Sequence, residues 1–118
     1  MREPPAIETF GGGGFRVAGV WRPGSLLILA DAPQAWRPAR FEDVAIDDLA
    51  AVIAAPRGQV EFVLLGTGAV QALPPRSIRE ALRTAGLGLE FMATGEAART
   101  HNVLASEGRL FATALIAV

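Results

Sequence analysis

The apolar positions of this chain change period once, near Val44, and the change separates two kinds of structure. Before it, "IETFGGGGFRVAGVWRPGSLLILADAP" holds three short apolar stretches, near Ile7 to Phe10, Phe15 to Val20 and Ser25 to Ala30. The separators, Gly11 to Gly14 and Arg22-Pro23-Gly24, read as turns. Phe15 and Val17 alternate with Arg16 and Ala18, as in a strand wetted on one face, whereas Leu26 to Leu29 is apolar on both. Trp36 to Phe41 is a further short strand candidate, weakened by Pro33 and Pro38.

After Val44 helical and extended patterns alternate. Asp47 is placed to cap a short helix with Leu49, Val52 and Ile53 on one face, stopped by Pro56 and Gly58. Val60 to Leu65 reads as a strand buried on both sides and leads into Gly66-Thr67-Gly68. In "SIREALRTAG", Ile78, Ala81, Leu82 and Ala85 share a helix face. Ser77 and Glu80 have capping-box spacing, a start one turn earlier at Pro75 is the alternative, and Gly86 supplies a left-handed cap. Leu87 to Met92 predicts a third two-sided strand, Thr94 caps a helix to about Glu107, and Arg109 to Val118 predicts the last strand. This order, α, β, α, β, α, β, implies crossover connections. The expected fold is α/β: a single domain over residues 1–118 with a mixed central sheet and helices packed on it.

Composition narrows the chemistry. The chain has 118 residues, 51% of them hydrophobic, so one domain can bury a sizeable core. With no cysteine, disulfides and thiolate chemistry are excluded, and one histidine, His101, is a poor basis for a transition-metal site. A net charge of -1 with scattered arginines argues against a nucleic-acid partner. No apolar run reaches the roughly twenty residues of a membrane span, and "MREPPAIETF" lacks signal- and transit-peptide patterns, so a cytoplasmic protein is expected.

Gly66-Thr67-Gly68 is the candidate site with the most to say. Glycines after a buried strand can cradle a phosphate, because backbone N–H groups approach an oxyanion freely there. The dinucleotide pattern nevertheless fails at Gln71, Pro74-Pro75 delay the next helix, and no Lys-Ser or Lys-Thr pair follows. A structural turn is the expected reading, a small-ligand contact the alternative. Gly11 to Gly14 lead into a strand and so lack a helix dipole. His101 falls on the apolar face between Ala97, Ala98, Leu104 and Ala105, where a core imidazole bonded once is expected. Arg99, Glu107 and Arg109 are expected to form a charged cluster at one end of the last helix.

"FVLLGTG" and "AGLGLEFMATGEAARTHNVLASEGRLFATALI" resemble the mth-like domain family, over about Ile7 to Ile116. The run Thr94, Ala97, Thr100, Asn102, Leu104, Glu107, Gly108 and Arg109 is the most specific part. The resemblance implies an N-terminal hammerhead-like β extension on the mixed sheet, and no established reaction or cofactor. It also implies an aromatic residue at the position of His101, where this chain departs, which favours packing over catalysis and predicts that His101→Phe is tolerated. Eukaryotic members of the family act as assembly or regulatory factors. The expected function is therefore a non-enzymatic interaction or accessory module, an assembly factor for a respiratory or membrane-associated complex, with an unidentified protein partner, no metal, and room for a homo-oligomer. The alternative is a small-molecule-binding domain or cryptic enzyme. Candidate contacts are Gly66, Thr67, Gly68, Thr94, Asn102 and Arg109, and no catalytic residue is assigned.

Overall fold

Two antiparallel turns at unexpected places organise the N-terminal half. In a computed structural model, which describes residues 2–118, β1 (Ile7–Gly11), β2 (Gly14–Val17) and β3 (Val20–Pro23) form a three-stranded antiparallel sheet. This is the N-terminal β extension. The reversal at Ala18-Gly19 falls inside the expected strand Phe15 to Val20, and β3 occupies what reads as a turn at Arg22-Pro23. Both turn residues have positive φ, 49° and 82°, matching a two-residue hairpin whose twist suits its strands.

β4 (Ser25–Leu29) and β5 (Ala32–Trp36) form the next hairpin, around Ala30-Asp31 with φ of 51° and 63°. The expected strand at Trp36 to Phe41 is therefore displaced: Trp36 ends β5, and Pro33 is accommodated because β5 is an edge strand. β6 (Phe62–Gly66), β7 (Gly88–Met92) and β8 (Phe111–Leu115) complete a five-stranded sheet in the order β5-β4-β8-β6-β7. β6 is parallel to β7 and β8, while β4 runs antiparallel to β8. The sheet is mixed, as expected. β7 is an edge strand with exposed Gly88 and Glu90, not the two-sided strand expected from its apolar run.

Period-two alternation divides the core between the two faces of this sheet. Leu27, Val63, Leu65, Ala112 and Ala114 face α1 (Ala50–Ala54) and α2 (Arg76–Thr84), where Val52, Ile78 and Leu82 meet them. Leu26, Ile28, Leu64 and Leu115 face the other way, against Ile7, Phe15 and Val17 of the small sheet and Ala97 and Ala98 of α3 (Thr94–Ser106). Leu64 and Leu65 are each fully buried, on opposite faces, so truncating either to Ala removes about 2–5 kcal/mol.

The first two helices start differently from the first expectation. Asp47 does not cap the first helical segment; Asp48 Oδ2 accepts the Ala45 N–H at 2.8 Å, and a 3-10 turn from Ile46 to Leu49 precedes α1. α2 takes the Pro75 alternative, with Pro75 as its N-cap, and ends at Gly86 in the left-handed region.

Candidate functional site

Gly66, Thr67 and Gly68 carry β6 out of the sheet against the first turn of α3. A Cβ on Gly66 would lie 2.7 Å from Leu115 Cδ2 and 3.1 Å from Thr94 Cα, so any side chain there would force Leu115 and the first turn of α3 to give way. Gly68 has φ of 106°, a conformation that L side chains rarely adopt.

The polar groups of the turn are tied inward. Thr67 N–H donates to Met92 C=O at 2.9 Å and Gly68 N–H to Thr94 Oγ1 at 2.9 Å. Thr94 Oγ1 in turn donates to Ile116 C=O at 2.7 Å, while Thr94 N–H donates to Gly68 C=O at 2.8 Å. Thr67 Oγ1 donates to Val70 C=O at 2.7 Å and accepts the Ala72 N–H at 3.1 Å. Thr94 is fully buried and is the first residue of α3, whose N-cap is Ala93. The expected Thr94 cap is thus replaced by a hydroxyl that joins the turn after β6 to the end of β8. A hollow of about 460 Å³ adjoins the outer side of this turn, bordered by Gly68, Val70, Arg40 and Val118.

Asn102 and Arg109 lie elsewhere. Asn102, midway along α3, bonds both backbone groups of Ile7. Arg109, beyond the far end of α3, holds its guanidinium 5.0 Å from the centre of the Phe62 ring, which stacks on Phe111 at 5.3 Å. α3 has 13 residues and is therefore about 20 Å long, which separates Thr94 from Arg109. The structure brings Gly66, Thr67, Gly68 and Thr94 together and keeps Asn102 and Arg109 out of that group. Nor do Arg99, Glu107 and Arg109 form the expected charged cluster: Arg99 lies 5.7 Å from the Phe10 ring centre, and none of the three belongs to an ion pair among the described residues.

His101 is buried, as expected, but bonded twice. Nε2 donates to Pro5 C=O at 2.8 Å, since a carbonyl only accepts, and that fixes Nδ1 as the acceptor of the Thr113 hydroxyl at 2.8 Å. Burial holds its pKa below the ordinary histidine value, against smaller upward pulls from Pro5 and Asp31. A neutral imidazole with both nitrogens occupied is a strut between the N-terminal segment and β8. Pro5 and Thr113 are partners that nothing in the local sequence reveals.

Fold and interior together define a mixed-sheet α/β domain in which buried polar side chains tie segments of the chain together. The chain belongs to the family described as a protein of unknown function (DUF498/DUF598), whose pattern spans residues 7–116. An uncharacterised protein of Rhodobacter capsulatus is 42% identical over 110 residues, 93% of this chain and 82% of its own length. The NADH dehydrogenase [ubiquinone] 1 alpha subcomplex assembly factor 3 of Xenopus tropicalis is 32% identical over 112 residues, and the match spans 93% of this chain but only 60% of that protein. Among solved structures, an outer membrane protein from Bartonella henselae superposes with a TM-score of 0.89 at 32% identity, covering 98% of this chain and 96% of that one. The Mth938-like domain of a Bordetella pertussis protein matches at 0.78 and 25% identity, over 98% and 90% of the two chains. The resemblance read from residues 62–68 and 85–116 is therefore a family relationship. No helix among the described residues is long and apolar enough to cross a membrane.

Proposed function

We propose that this chain is a non-enzymatic interaction module that acts from the cytoplasm as an accessory factor in assembling a respiratory or membrane-associated complex. The observation that carries the reading is the 32% identity to an NADH dehydrogenase assembly factor across 93% of this chain. The chemistry of the turn supports it. Thr67 and Gly68 amides and the Thr94 hydroxyl are spent on internal bonds, and the loop that follows presents two exposed apolar side chains, Val70 and Leu73, 71% and 66% exposed. Side chains of this kind suit a protein surface better than a phosphate.

The test is deletion of the gene in the organism that encodes it, followed by native gel analysis of its respiratory complexes. Loss of assembled NADH dehydrogenase with accumulation of a subassembly, restored by the wild-type chain and not by Val70→Asp/Leu73→Asp, is the expected result. Unchanged assembly of every membrane complex overturns the reading. The second reading, a small-molecule site, rests on the hollow beside Gly68 and Val70. It requires a ligand that raises the melting temperature of the wild-type chain and not of a variant altered at that hollow.

A further inference from the structure

The small sheet and the large one face each other across a core that is filled in the middle and open at one side. Phe15 and Val17 of β2 are 0% and 1% exposed, and the register places Arg22 opposite Phe15 and Val20 opposite Val17. Arg22 and Val20 therefore point to the same inner face as those two core residues. Beneath them lie Leu26 of β4 and its register partner Ala35 of β5. No described residue fills the space between: Val20 is 54% exposed, Ala35 is exposed, and a trough of about 350 Å³ runs between β3 and the β4–β5 edge.

Arg22 is out of place in such a setting. Among the described residues its buried Nε has no hydrogen-bond partner, and none of the five ion pairs includes it. A buried charged donor left unbonded is unfavourable, and a guanidinium fork is matched best by a carboxylate. β3 also has a free edge. The two-residue hairpin makes Val17–Val20 and Phe15–Arg22 the hydrogen-bonded pairs, an alternation continued by the Gly24 N–H to Gly13 C=O bond at 2.7 Å, so the backbone of Trp21 turns outward.

We propose that this trough binds an extended segment of a partner protein in which an Asp or Glu alternates with apolar residues, the segment adding a strand to the edge of β3. Its backbone pairs with Trp21, its carboxylate bonds Arg22, and the apolar side chains two positions to either side settle over Leu26 and Ala35. The occupant is a peptide because a strand edge and an apolar floor lie together here, and acidic because the unbonded group is a cation. The proposal deepens the interaction-module reading by naming one partner surface, and it lies apart from Val70 and Leu73. A synthetic probe keeps the two separable: peptide binding can fail with the assembly defect intact, and the reverse.

The probe is a short acetylated and amidated peptide of alternating Thr and Val with Glu at its centre, titrated into the ¹⁵N-labelled chain at low salt, beside the same peptide with Gln. The Glu peptide is expected to shift the amides of Val20 to Pro23, Leu26 and Ala35, and to bind at least about tenfold more tightly than the Gln peptide. Arg22→Gln should remove that preference, and Ala35→Glu, which supplies a carboxylate from the floor of the trough, should block the peptide. Equal affinity for the two peptides, shifts that map elsewhere, or no shift at millimolar peptide overturns the proposal. So does an Arg22→Gln variant that keeps the Glu preference and merely self-associates, for then Arg22 only guards a strand edge. Should Arg22→Gln fail to fold, Ala35→Glu decides alone: undiminished Glu-peptide binding overturns the proposal, and its loss in a folded variant supports it.

Discussion

Asn102 and Ile7, 95 positions apart, are joined by two hydrogen bonds of 2.8 Å: Asn102 Nδ2 donates to Ile7 C=O, and Ile7 N–H donates to Asn102 Oδ1. The side-chain amide thus does for β1 what a neighbouring strand would do, and it ties β1 to α3. Asn102→Ala removes both bonds and leaves two half-buried backbone groups to find water. A loss of about 1–3 kcal/mol is expected, with faster hydrogen exchange at the Ile7 amide and unchanged exchange in β6. A stability equal to wild type would mean that β1 is held by its pairing with β2 and its apolar contacts.

His101 is the second tie to the N-terminal segment, and it makes stability depend on pH. Its folded pKa lies below its unfolded value of 6.5, because burial penalises the charged ring. The stabilisation is therefore full above the unfolded value and is lost as pH falls through the folded one. His101→Phe strands the Pro5 carbonyl and the fully buried Thr113 hydroxyl, so in place of the easy tolerance expected from the sequence a loss of about 2–4 kcal/mol is expected at pH 8. The gap between wild type and variant in thermal melts should narrow below pH 6, and Thr113→Val added to His101→Phe should recover part of the loss.

These two ties show where the sequence stops being readable. β6, α3 and β8 are legible because continuous apolar runs and a 3.6 period are properties of neighbouring residues. Asn102 is legible only as an amide in a helix; that its partner is Ile7 depends on how the small sheet lands on α3. β3 is hidden for a different reason. Its turn is made by Ala18-Gly19, with an alanine at positive φ, while Pro23-Gly24 imitates a turn at the strand's end. The glycine at position 66 reads as a structural turn with a ligand contact as the alternative, and only Thr94 lying against it shows what the turn is for, since both uses need the same missing Cβ.

Arg37 and Asp48 offer a carboxylate counterpart to His101. Arg37 Nε and Nη2 each bond an Asp48 oxygen at 2.7 Å, and Asp48 Oδ2 also accepts the Ala45 N–H. The Arg37 bonds, aided by Ala45, hold the Asp48 pKa below the usual carboxylate value despite partial burial. Its contribution is accordingly full above about pH 4–5 and lost as pH falls through the lowered folded value. Asp48→Asn keeps an oxygen for the Ala45 N–H and loses the paired Arg37 bonds, so only a small loss of stability is expected at pH 7, because Arg37 is largely exposed and its charge screened. The difference from wild type should vanish in urea melts below pH 3.

Thr94 decides between a structural turn and a ligand cradle. Its hydroxyl accepts from Gly68 N–H and donates to Ile116 C=O inside a fully buried site, so Thr94→Val keeps the shape and strands both backbone groups. A loss of about 2–4 kcal/mol is expected, against less than about 1 kcal/mol for Thr94→Ser, which keeps the hydroxyl and sheds one methyl. With the Gly68 amide engaged in this way, a phosphate could reach it only by displacing Thr94. Millimolar ATP, NAD or NADP should therefore leave the melting temperature of the wild-type chain unchanged, whereas a ligand at a hundredfold its Kd would add about 2.7 kcal/mol. A saturable rise that is abolished by Gly68→Val would show that the turn opens to receive an anion, and would transfer these residues from the scaffold to the binding site.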